Sequence, residues 1–161
     1  MLDTEQWINS RVGVDNATRL NEITVSEGRR HRWGFIDGLK GWHSHVAKLT
    51  SDLELGPNAP GLWGPHDLLA ALVFRNALDS GLSDVPPGLL RAASEALDDV
   101  DRAYIAYTDP DDCGCVGRVD TDVPSSEGWW WRRVPKRGLI RVELERYYGH
   151  PTSAPKRSNG S

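Results

Sequence analysis

From Pro86-Pro87 onward, apolar side chains recur at helical spacing for five turns: Leu89, Ala93, Ala96 and Leu97, Val100, Ala103 and Tyr104, then Tyr107. Only an amphipathic helix gathers positions with that period onto one face, and a stripe of this length has to be laid on a core. The remaining chain must therefore supply partners for it. Two further segments qualify. Leu39, Trp42, Val46, Leu49 and Leu53 step by three and four, which predicts a helix over 39–54. The run Gly56-Pro57-Asn58-Ala59-Pro60-Gly61 then breaks the chain into a loop. A helix is expected to start near Pro65, a favoured first-turn residue, and to stop before Gly81. Its centre, Leu68 to Phe74, is apolar on most faces, as in a helix buried between others.

Shorter elements flank this helical middle. Asp3 with Gln6 resembles a capping-box start, predicting a short helix over 4–11 that carries Trp7 inward. Leu20, Ile23 and Val25, the turn residues Ser26-Glu27-Gly28, and Arg30 to Phe35 suit a hairpin within 19–36. After Asp109-Pro110 the period changes: Val119, Thr121 and Val123 alternate with charged residues, as in a half-exposed strand. Trp129 to Val134, a Pro135–Gly138 turn, and Leu139 to Arg146 read as a second hairpin, with a helix over 139–148 as the competing reading. The class implied is α+β, with a helical middle at about 39–107 packed on a small antiparallel sheet whose C-terminal part is a hairpin at 129–146. One globular domain over 1–149 is expected. Residues 150–161 lack any large apolar side chain and read as a disordered tail.

Charge is unevenly placed. The net charge is −4, but residues 95–122 hold nine acidic and two basic side chains, whereas 123–161 hold eight basic and three acidic. Opposed patches suit a protein partner better than nucleic acid, which prefers a dominant basic face. No apolar run reaches the length of a membrane span, and the first residues lack the pattern of a signal peptide, so the expected setting is cytoplasmic, with no membrane partner.

Motifs with chemistry in them are few. Cys113 and Cys115 stand two apart, and a bridge over one residue is strained, so they are expected as two reduced thiols in a loop. On a helix, His43 and His45 point to opposite flanks and cannot chelate one ion together. The loop from Asp109 to Asp120 places acids at positions 1, 3 and 12 of a calcium-loop pattern, with Cys at position 5 and Asp in place of the bidentate Glu. No metal site and no cofactor is expected.

The run Gly128-Trp129-Trp130-Trp131-Arg132-Arg133 stands apart. As a strand it would put Trp130 and Arg132 on one face, near Lys136, Arg137 and Arg141, and Trp and Arg are the types enriched at binding hot spots. The expected function is a non-enzymatic protein-binding module of inhibitor or immunity type. Its candidate binding residues are Trp130, Arg132, Arg133 and Arg137, complemented by an acidic patch of Asp98, Asp101, Asp109 and Asp111. One alternative is a small enzyme with a His and an Asp or Glu in a Trp-lined pocket. A second is a single-stranded nucleic-acid binder that stacks bases on the tryptophans.

Overall fold

The computed structural model describes residues 3–120 and 128–149. The expected tail at 150–161, and Thr121 to Val123 of the expected strand, lie outside them. The chain begins with α1 (Thr4–Arg11), whose first amides at Glu5 and Gln6 donate to the Asp3 carboxylate, both at 2.9 Å. A short α2 (Val14–Leu20) leads into the hairpin of β1 (Thr24–Glu27) and β2 (His31–Gly34), paired from Thr24↔Gly34 to Glu27↔His31. Then come the three long helices: α3 (Phe35–Asp52), α4 (Pro65–Gly81) and α5 (Pro87–Ala106).

Helix α3 starts earlier than the 39–54 stripe predicts, because Phe35 and Ile36 extend the same buried face toward the hairpin. Its residues Leu39, Trp42 and Val46 meet Leu68, Leu72 and Leu78 of α4 and Leu97, Val100 and Tyr104 of α5 in one core. Helix α4 is covered on several sides, by α3, β1 and the C-terminal segments. That agrees with its apolar centre, yet it also buries Arg75 and Asn76.

The architecture is α+β, with helices packed against two small antiparallel pairs. The C-terminal pair has different members from those the sequence pattern suggested. Strand β3 (Thr108–Pro110) leaves α5 directly and pairs with β4 (Arg133–Pro135), in register Thr108↔Pro135, Asp109↔Val134 and Pro110↔Arg133. The Arg133 side chain latches this pair by donating to Thr108 Oγ1 and to the carbonyls of Thr108 and Ile105. Leu139–Tyr148 is a helix, α6, rather than the second strand of a 129–146 hairpin. Alternation would set Val142 beside Ile140 and Leu144, but Val142 is 51% exposed while the other two are buried, as helical geometry requires.

Trp129–Arg132 is not a strand but one 3₁₀ turn, with Val116–Arg118 forming another. Val119, expected in a strand, closes that second turn and is buried. Among the described residues no helix is long and apolar enough to cross a membrane.

Candidate functional site

Two of the three consecutive tryptophans complete the core. Trp130 and Trp131 are buried, and both indole N–H groups donate to one atom, Asn76 Oδ1 of α4, at 2.6 and 2.9 Å. A 3₁₀ turn brings both rings to α4, which a strand with alternating sides cannot do. Arg75 lies against the face of Trp130, 4.1 Å from the ring centroid, and forms a bidentate pair with Asp101 of α5 at 2.9 and 3.0 Å. Asp101 Oδ1 also accepts the Trp42 indole N–H at 3.0 Å. Burial pushes the Asp101 carboxyl up, against the pull of Arg75 and of the Trp42 donor. Tyr104, its hydroxyl also pushed up by burial, donates to the Trp130 carbonyl and so ties the turn to α5. Arg75 Nη1 is the exception: it makes no hydrogen bond and faces the exposed Asp79 carboxylate at 3.6 Å.

The residues expected to bind are thus dispersed. Trp130 and Asp101 sit inside, engaged by Asn76, Arg75 and Trp42. Arg132 and Asp98 are exposed. Arg133 is half-buried in the β3–β4 latch, and Arg137 reaches back to the Leu53 carbonyl and Glu54. Asp109 pairs with Arg141 of α6, and the Asp111 carboxylate accepts the amides of Cys115 and Val116. The acidic and basic segments therefore partly neutralise each other within the chain. Residues 129 and 132 fall on the same side of a 3₁₀ turn, where positions three apart eclipse. Trp129 is the tryptophan left at the surface, 36% exposed, seated against Tyr104 and edge-on to Trp130.

The histidines take opposite flanks of α3. His43 stacks on Trp7 at 4.3 Å, with Nδ1 3.0 Å from Thr4 Oγ1, and burial lowers its pKa. His45 contacts the rings of Trp63 and Phe74 and meets the Gly41 carbonyl at 2.8 Å. Its pKa is also lowered by burial, against the opposing effects of that carbonyl and of Asp67. A cavity of about 110 Å³ brings together Trp7, His43 and Asp99, the residue types of the acid–base alternative, although Asp99 is ion-paired to Arg11 and Arg102.

Cys113 and Cys115 correct the expectation of two reduced thiols: they are joined as a disulfide. Gly114, at φ +67°, turns the chain between them so that their Cα atoms lie 5.3 Å apart, inside the ordinary range for a bridge. The intervening glycine was the signal available for this. Asp111 holds the loop through the two amides it accepts. No family model, curated protein or solved structure matches the chain.

Proposed function

We propose that this protein is a non-enzymatic protein-binding module of the inhibitor or immunity type, anchored by Trp129 and Arg132 rather than by Trp130. The observation that carries the reading is the shared face of these two side chains on the 3₁₀ turn, both exposed, above a support of buried aromatic rings. An indole beside a guanidinium is the composition of an interface hot spot. A ring already seated on its neighbours loses little freedom when a partner covers it. The partner of complementary chemistry offers an apolar slot for the indole and a carboxylate for Arg132.

The test uses a photo-reactive amino acid at the exposed position 136 to capture and identify the partner, followed by affinity measurements with that purified protein. Arg132→Ala is expected to keep the wild-type melting temperature and Trp129→Ala, which gives up the packing of its ring on Tyr104 and Trp130, to lower it; each should weaken binding by about 2 kcal/mol or more. Unchanged affinity in both variants overturns the reading. Tight binding of short oligonucleotides with a steep salt dependence would replace it with the nucleic-acid alternative.

A further inference from the structure

We propose that Cys113 and Cys115 form a thiol–disulfide exchange site, which accepts two electrons from a pair of cysteine-type thiols entering the cavity beside them. Four observations carry this. The two sulfurs are bonded across a single residue, so after reduction they stay within reach of each other and the bond can re-form locally. The two cysteines differ in access: Cys113 is exposed, whereas Cys115 is 1% exposed, so an outside thiolate reaches the first and not the second. A cavity of about 450 Å³ lies beside the bridge, between the Asp111 loop and the α6 residues Arg141 and Leu144, with the exposed Cys113 in its lining, and that volume lies in the range of small-ligand sites. Finally, Asp111 Oδ1 is 3.4 Å from Cys113 Sγ, placed to accept the S–H of the reduced form, while its carboxylate keeps the loop shaped through the Cys115 and Val116 amides.

The exchange balances without a cofactor. The first thiolate attacks Cys113 Sγ; the Cys113–Cys115 bond breaks, and Cys115 leaves as a thiolate that takes up a proton. A second thiolate attacks the sulfur of the bound substrate, releasing Cys113, which is protonated in turn. One disulfide forms in the substrate pair, one is lost from the protein, and the two protons of the substrate thiols end on Cys113 and Cys115. Cys113 is the entry sulfur and Cys115 the resolving one.

The full chain would be incubated with mixtures of reduced and oxidised glutathione, quenched with an alkylating reagent and weighed by intact mass. The wild type is expected to pass between disulfide and dithiol in one two-electron step. Cys115→Ser should trap one glutathione, on Cys113, and Cys113→Ser should trap none. Because either variant could misfold, a second measurement uses the wild type with limiting reductant, where the first glutathione captured should map to Cys113. A parallel arm replaces glutathione with a reduced, unfolded disulfide protein; faster opening in one arm identifies whether the thiol arrives free or on a polypeptide. The proposal fails if the pair stays fully oxidised or fully reduced in every mixture, or if Cys115 is captured as readily as Cys113. These readouts need neither Trp129 nor a protein partner, so they stand or fall apart from the binding function.

Discussion

Replacing Asp101 by Asn removes one charge from the centre of the protein and almost no volume. Arg75, only 5% exposed, then loses its carboxylate while still buried against Trp130. Breaking a buried ion pair from one side costs about 3–5 kcal/mol, because the remaining charge stays desolvated. Asp79, 3.6 Å from Nη1 on the exposed rim, offsets at most about 1 kcal/mol of that. The net expected loss is therefore about 2–4 kcal/mol, or roughly 5–15 °C in Tm for a chain of this length. Arg75→Met strands the carboxylate instead. Having lost the guanidinium that opposes desolvation, Asp101 should take up a proton more readily, so this variant should gain stability relative to wild type as the pH falls. The double variant Arg75→Met/Asp101→Asn leaves no charge stranded at this site and should recover most of what either single change loses. Urea denaturation followed by both tryptophan fluorescence and far-ultraviolet circular dichroism measures all three. The reasoning is refuted if Asp101→Asn costs less than about 1 kcal/mol, or if the double variant shows the sum of the two single losses.

Three further outcomes follow from the same geometry. Asn76→Leu leaves the indole N–H groups of Trp130 and Trp131 without their acceptor, at about 1–3 kcal/mol each, and should lower the urea midpoint accordingly. His43 and His45 have pKa values lowered by burial, so the unfolded chain binds protons that the folded one does not. Their contribution is complete above the ordinary histidine value of about 6.5 and is lost as the pH falls through the depressed ones; replacing both with Gln should flatten the decline in stability between about pH 7.5 and 5. Gly41→Ala should gain about 1 kcal/mol in helix propensity but drives a methyl group into the Phe74 ring, which Trp33 and His45 hold in place; a Tm below wild type is expected, and a rise would show that the ring gives way.

The long helices were legible because their apolar spacing is a local property, carried by residues such as Leu89, Ala93 and Val100 that need no distant partner to reveal their face. Pro65 and Pro87 marked two of the starts for the same reason. The segment from 129 to 148 was harder to read. Ile140, Val142 and Leu144 fit a strand, while Ile140 and Leu144 alone fit a helix, and only the position of α4 and β4 around them decides that Val142 faces outward. The three tryptophans fit a strand by sequence alone because the polar partner that draws Trp130 and Trp131 to one side, Asn76, is on α4, more than fifty residues earlier. Arg75 and Asn76, two polar side chains directly following the apolar centre of α4, were the trace of that arrangement in the sequence. For the cysteines, spacing argued against a bridge; what that argument left out is the conformational freedom of Gly114 between them.

The shared acceptor on Asn76 also bears on how the chain is made. Translation delivers α4 54 residues before Trp130 and 55 before Trp131. Through that interval the three long helices can associate, since their apolar stripes are complete, but the seat of the two indoles, at Asn76 Oδ1 and beside Arg75, is still open to water. Closure therefore waits for the last third of the chain to emerge. A nascent chain arrested before residue 128 would be a helical assembly with a wet seam along α4, open to chaperones and proteases. Release of Trp130 and Trp131 from the ribosome is the step that dries it.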